Sequence, residues 1–145
     1  MYSTILVGTD GSPTADKAVQ AAAALARHLG ADLHLVVGYR SGSPGMGAAA
    51  GAPMVDTGVG GALRQEAAKE IGDSAAGKWA EGLSATVHEV GGDPADAILD
   101  TAEQVGADLV VVGSKGMHGA RRVLGSVPNS VSHGAKCAVL IVKTD

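Results

Sequence analysis

Residues 106–116, GADLVVVGSKG, decide the fold class of this chain. Residues 109–112 are apolar without interruption, as expected of a central strand in a parallel sheet that is covered on both faces. Gly113 follows at once, so the glycine-rich segment after it begins at the carboxyl end of a strand. Open α/β sheets bind their ligands at this end.

The rest of the chain alternates strands with helices. Four more strands are predicted from apolar or alternating runs, at residues 4–10, 32–39, 84–90 and 137–143. Helical patterns lie between them, at residues 12–30, 62–83 and 91–107, with a last helix from about Val127. This alternation predicts a single doubly wound α/β domain, with a five-stranded parallel sheet and helices on both faces.

Residues at the helix ends support two of these helices. Ser12 and Asp93 are predicted N-caps, each followed by a proline at the first helical position. Gly30 and Gly106 are predicted to end the same two helices. The helix predicted over 62–83 is weakened by two internal glycines.

Length, composition and charge exclude several classes of protein. A chain of 145 residues suits one domain. Its formal net charge of -4 argues against a nucleic-acid-binding surface. Cys137 is the single cysteine, so neither an intramolecular disulfide nor a cysteine-based metal site is expected. No export signal or membrane-spanning run is recognisable, which predicts a cytoplasmic protein that does not contact membranes.

Residues 41–61 interrupt the alternation because they are rich in glycine, alanine and proline and nearly free of charge. We expect a long mobile loop within the domain. The loop contains a G-x-G-x-x-A match at Gly45, Gly47 and Ala50, but this match lies several residues past the strand and opens no clear helix. A dinucleotide site is therefore not predicted there.

The segment after the valine strand has the composition of an anion-binding loop. Glycines at 113, 116, 119 and 125 permit positive φ and a close approach of the backbone to a ligand. Ser126 is placed to cap the helix that starts near Val127, leaving N–H groups that attract phosphate. A plain strand-to-helix turn explains one or two of these glycines but hardly all four.

Charged and titratable residues in this loop leave alternatives open. Lys115, Arg121 and Arg122 either contact an anion or are solvated, and the G-x-x-x-x-G-K-[ST] sequence of P-loop enzymes is absent. His118 could donate to phosphate, but no nucleophile or orienting carboxylate is defined beside it. We therefore predict no catalytic residue, and the histidine spacing predicts no zinc site.

Three stretches carry a family resemblance: ILVGTDGSPTADKAV at 5–19, GADLVVVGSKG at 106–116 and GSVPNSVSHGAKCAVLIVK at 125–143. Together they resemble a universal stress protein over essentially the whole chain outside 41–61. The ATP-binding branch of that family has the pattern G-x2-G-x9-G-[ST]. Gly113, Gly116, Gly125 and Ser126 fall on this pattern, with eight residues instead of nine between the second and third glycines.

The resemblance implies the strand order 3-2-1-4-5 and an adenine-nucleotide site. ATP, with or without Mg²⁺, is the implied ligand, and cAMP or AMP are alternatives. Asp10 either meets the nucleotide or a phosphate-bound cation, or only closes an Asx-turn in DGSP. The implied binding residues are Gly8, Thr9, Asp10, Val37, Gly38, Gly113, Ser114, Lys115, Gly116, Met117, Gly125, Ser126 and Val127.

The implied activity is that of a nucleotide-binding regulatory module of the stress response. Two other classes stay open: a slow ATPase that uses Asp10 and His118, and a structural dimer module with an empty cleft. The last strand is expected at a sheet edge, where unpaired backbone groups invite a second chain. Since relatives pair similarly, a homodimer through residues 138–142 is expected.

Overall fold

The structure, a computed structural model, describes residues 1–39, 59–114 and 125–144. Strands and helices alternate over these residues, as predicted. The elements are β1 (Thr4–Gly8), α1 (Pro13–Leu29), β2 (Asp32–Tyr39), α2 (Val59–Trp79), β3 (Ala85–Gly91), α3 (Pro94–Val105), β4 (Leu109–Gly113), α4 (Ser126–Gly134) and β5 (Ala138–Val142).

The five strands form one parallel sheet in the order β3-β2-β1-β4-β5, which confirms the predicted fold class. The chain runs outward from the central β1 through β2 to β3, and then returns to β4 on the other side of β1. Strand order therefore reverses between β1 and β4, and the carboxyl ends of these two strands border a crevice.

Helices cover the sheet on both faces and create two hydrophobic cores. On one face, α1 and α2 pack on a set of strand residues that includes Ile5, Val7, Leu33, Leu35 and Val111. On the other face, α3 and α4 pack on Leu6, Val36, Val110 and Val112. Because the buried side of α1 is mostly alanine, its backbone lies close to the sheet.

The predicted caps of α1 and α3 are confirmed. The Ser12 hydroxyl accepts a hydrogen bond from Ala15 N at 3.1 Å, and the Asp93 carboxylate accepts one from Ala95 N at 2.9 Å. Gly30 and Gly106 end the two helices with φ of 65° at both positions, in the left-handed region that favours glycine.

Two helix boundaries differ from the sequence prediction. Helix α2 begins at Val59, so residues 59–61, predicted as loop, are helical, and it continues without a break through Gly72 and Gly77. Helix α4 begins at Ser126 with Gly125 as its N-cap, one residue earlier than predicted. Ser126 is therefore the first helical residue and not the cap, and its hydroxyl has no hydrogen-bond partner among the described residues.

Two sequence predictions fall on residues that the structure does not describe. The remainder of the 41–61 loop, with the match at Gly45, Gly47 and Ala50, is one of them. The other is the predicted anion-binding segment at residues 115–124. Within the described residues, no helix is both long enough and apolar enough to cross a membrane.

Candidate nucleotide-binding cleft

A cleft of about 200 Å³ opens at the carboxyl ends of β1, β2 and β4, where the order of strands reverses. The starts of α3 and α4 form its other walls. The lining residues are Gly8, Thr9, Asp10, Ser12, Ala15, Val36, Gly38, Pro94, Ile98, Val112, Gly113, Val127 and Pro128. Backbone and aliphatic groups dominate this lining, as is usual for small-molecule sites.

The turn after β1 fixes one end of the cleft. Thr9 N donates to Val36 O at 3.0 Å, and the Thr9 hydroxyl accepts from Gly11 N at 3.1 Å. The Asp10 carboxylate accepts from Ser12 N at 2.9 Å, so the Asx-turn predicted as one role of Asp10 is formed. The same side chain is exposed and lines the cleft.

Glycines allow α3 to lie against the strand ends. A Cβ atom at Gly8 would stand 2.6 Å from Ile98 Cδ1, and one at Gly38 would stand 3.2 Å from Pro94 Cα. The first contact requires the Ile98 side chain to move, and the second requires the α3 backbone to move by a few tenths of an ångström. Gly8 and Gly38 therefore set the position of the wall that α3 contributes.

Val36, not Val37, faces this cleft. Val37 is 2% exposed, and its Cγ2 lies beneath α2, 3.4 Å from the position that a Cβ at Gly72 would take. Val36 belongs to the core on the other face and lines the cleft together with Gly38. The aliphatic side chain that β2 presents to the cleft is therefore that of Val36.

Ser114 holds the end of β4 in place. Its hydroxyl accepts from Thr144 N at 3.1 Å and lies 3.3 Å from the Thr144 hydroxyl. The residue is 5% exposed and is not part of the cleft lining. Its side chain is therefore used within the fold, whereas Gly113, one residue earlier, borders the cleft.

The start of α4 supplies backbone donors at the cleft. Ser126 and Val127 are its first two residues, and Pro128, the third, has no N–H. Asn129 N donates to Gly125 O at 3.0 Å, which is the first bond of the helix ladder. The N–H groups of Ser126 and Val127 thus precede that ladder and carry the positive end of the helix dipole.

Comparison with models of known protein families identifies the family of this chain. The model of the universal stress protein family matches residues 1–143. The chain belongs to the universal stress protein family. It is 36% identical to universal stress protein YxiE of Bacillus subtilis (strain 168), an alignment that covers 99% of this chain and 100% of that protein.

Solved structures of other universal stress proteins share the fold. One, determined in complex with cAMP, is 31% identical, with a TM-score of 0.67 over 99% of this chain and 98% of the other. A family member from Burkholderia pseudomallei is 28% identical, with a TM-score of 0.73 over 97% of this chain and 96% of the other. A universal stress protein from Archaeoglobus fulgidus in complex with dAMP is 24% identical, with a TM-score of 0.63 over 98% of both chains, and is evidence of the fold alone.

Most of the binding residues predicted for this universal stress protein that the structure describes lie at the cleft. Gly8, Thr9, Asp10, Gly38, Gly113 and Val127 line the cleft. Gly125 and Ser126 adjoin it at the start of α4. Lys115, Gly116 and Met117, like His118, Arg121 and Arg122, lie outside the described residues.

Several lining residues were not predicted from the sequence. Period-two alternation along β2 places Val36 on the same face as Gly38 and Val37 on the other, so this signal could have found Val36. Pro94 and Ile98 were also predictable, because α3 starts directly after β3 and so begins at the edge of the sheet where the strands end. Ala15 was not predictable, since alanine is frequent throughout the chain.

Other reactive groups of this universal stress protein lie away from the cleft. Burial, and next the Asp108 carboxylate, raise the pKa of the Cys137 thiol, so that it stays protonated and weakly nucleophilic at neutral pH. Within residues 1–39, 59–114 and 125–144, no three histidine, cysteine or carboxylate side chains come together as they would around a metal ion.

Proposed function

We propose that this universal stress protein binds an adenine nucleotide in the cleft and acts as a regulatory binding module. One observation carries the proposal: the carboxyl ends of β1 and β4 meet the start of α4 at the reversal point of the sheet, around a lining of glycine backbone and aliphatic side chains. A purine fits between apolar groups such as Val36 and Ile98, and phosphate fits N–H groups at the start of a helix.

ATP is the ligand that we propose first. The start of α4 and the glycine motif at 113, 116, 125 and 126 form the part of the site suited to phosphates. cAMP is the second candidate, because a relative that is 31% identical was solved in complex with it. Its single cyclic phosphate needs fewer donors than a triphosphate does.

Titration calorimetry of the purified protein with ATP, AMP, cAMP and GTP tests both the class and the identity of the ligand. We expect binding of at least one adenine nucleotide, and weaker binding of GTP, whose base differs at the purine edge. The mass of any small molecule that is released when freshly purified protein is denatured gives an independent answer. If no adenine nucleotide binds or raises the melting temperature, the proposal is wrong.

Ser126 provides a sharper test of the phosphate end. Replacing it by alanine removes a hydroxyl donor but keeps the backbone N–H, so ATP should bind about tenfold more weakly while adenosine is little affected. Ser130→Ala is the matched control, because Ser130 is exposed on the same helix one turn later. An effect on ATP of less than about twofold, or an equal effect on adenosine, would contradict this role.

We further propose that the protein forms a homodimer through residues 138–142. β5 is an edge strand that pairs with β4 alone among the described residues. Its Leu140 is a large apolar side chain that is 37% exposed. Edge strands with apolar side chains are readily covered by a second copy of the same chain.

A further inference from the structure

Two histidines lie side by side on the sheet, away from the cleft. His34 is on β2 and His88 is on the edge strand β3. The strand register places Thr86 opposite His34 and His88 opposite Val36, so the two histidines are diagonal neighbours on one face. This is the face covered by α3, since Val36 belongs to the core beneath that helix.

The two rings are in direct contact. His34 Nδ1 lies 2.9 Å from His88 Nε2, the ring centroids are 5.2 Å apart, and the ring planes are tilted by 31°. Both residues are half-buried, so the pair is held by the sheet but open to solvent on one side. A hydrogen bond between the rings satisfies one nitrogen of each and needs no further ligand.

The spacing of these two nitrogens also fits coordination to a metal ion. A cation that holds two imidazole nitrogens at about 2.05 Å and about 90° to each other separates them by about 2.9 Å. We propose that His34 and His88 form a two-imidazole site for a late first-row divalent cation, with water in the remaining positions. Loading the site requires that the hydrogen-bonding proton move to the other nitrogen of its ring and that the rings turn until both lone pairs converge on the cation, instead of lying along the line between the two nitrogens.

The surroundings of His88 favour the neutral form of its ring. Burial, and next the proximity of His34, lower the pKa of His88, while Glu89 raises it.

The donor set indicates which cations bind best. Imidazole suits copper, nickel and zinc, and the stability order of divalent ions places Cu²⁺ first. No third ligand joins the pair within the part of the chain that the structure describes, because no group of three such side chains occurs there. The site is therefore an open, exchangeable one, unlike the closed four-ligand sites that hold structural zinc.

Titration of the metal-free full chain with Cu²⁺ at pH 7.5 tests the proposal, with His34→Gln and His88→Gln as variants. His28→Gln is the matched control, because His28 is an exposed histidine in the last turn of α1. We expect each pair variant to lose about tenfold or more in Cu²⁺ affinity, while the control is unchanged. A loss below about threefold in either pair variant, or an equal loss in the control, would overturn the site.

A second measurement avoids variants altogether and protects against a folding defect. Substoichiometric Cu²⁺, which is paramagnetic, should broaden the imidazole proton signals of His34 and His88 in the unmodified protein before those of His28 and His133. Broadening that reaches all four histidines together, or His28 first, would show surface adsorption only and would overturn the site.

Discussion

Single glycines set how closely a helix can approach the sheet. Gly72 and Gly77 both lie inside α2, and both weaken its intrinsic helix propensity. Their surroundings differ, because a Cβ at Gly72 would stand 2.2 Å from Val87 Cγ1, whereas one at Gly77 would meet nothing within 4 Å. Sequence alone could not separate the two glycines, since the difference depends on the strand that packs beneath them.

This contrast predicts opposite effects for the same substitution. Gly72→Ala should lower the free energy of unfolding by about 1–3 kcal/mol, because α2 or Val87 must shift to admit the methyl group. Gly77→Ala should raise it by about 0.5–1 kcal/mol through helix propensity alone. Urea denaturation of both variants measures these changes. Equal effects of the two substitutions would show that propensity, not packing, governs both positions.

Asp108 fastens the start of β1 to the start of β4. Its carboxylate accepts hydrogen bonds from Ser3 N at 2.9 Å, from Thr4 N at 3.2 Å and from the Ser3 hydroxyl at 3.0 Å. Partial burial alone would raise the pKa of Asp108, but these hydrogen bonds outweigh it, and the pKa lies below its usual value. The ionised form is therefore favoured by folding.

A depressed carboxylate pKa makes stability depend on pH in a defined direction. The contribution of Asp108 is fully present above the pKa of an unfolded aspartate, about 3.9, and disappears as the pH falls through the lower pKa of the folded state. Asp108→Asn should cost about 1 kcal/mol at pH 7, since the group is partly solvated, and less in acid. Urea denaturation between pH 3 and pH 7 measures this difference. A difference that grows toward acid would contradict the assignment.

The helices and strands themselves were largely predictable from local signals. The caps at Ser12 and Asp93 were predictable because their side-chain oxygens accept hydrogen bonds from N–H groups of the first turn, and the stops at Gly30 and Gly106 because glycine adopts the left-handed conformation without strain. The start of α4 was misplaced by one residue because Gly125 and Ser126 are both acceptable N-caps, and the packing around them decides between the two. Val37 was named because of the family resemblance, whereas period-two alternation along β2 places the side chain of Val36 on the face of Gly38.

The cap of α3 links stability to the cleft. Asp93 accepts from Ala95 N and from Asp96 N, and Pro94 directly after it lines the cleft. Asp93→Ala should cost about 1 kcal/mol of unfolding free energy and should weaken nucleotide binding, because the first turn of α3 loosens. Asp100→Ala, at an exposed position in the middle of the same helix, is the control: it should leave binding unchanged and should not lower stability, since alanine has the higher helix propensity. Urea denaturation measures the stability of both variants, and calorimetry measures their nucleotide binding. Unchanged binding in Asp93→Ala would show that the cap does not support the nucleotide site.

The order of strands is a property of the whole molecule that local patterns leave open. Alternation of strands and helices requires parallel strands and right-handed connections, but several strand orders satisfy both. Family resemblance supplied the order, and the structure confirms it. The same order leaves β3 and β5 as the two edges, and they differ in character. The exposed start of β3 carries the polar Thr86, whereas β5 presents Leu140.

This difference predicts which edge pairs with a second copy. Light scattering of the unmodified protein at tens of micromolar should give the mass of a dimer, and Leu140→Lys should give a folded monomer, because a charge then enters the interface from both copies. Since Leu140 is 37% exposed within the single chain, the variant should keep its fold. Thr86→Lys places the same charge on the opposite edge strand and should leave the dimer intact. If the unmodified protein were monomeric, or if Leu140→Lys remained a dimer while Thr86→Lys did not, pairing through residues 138–142 would be wrong.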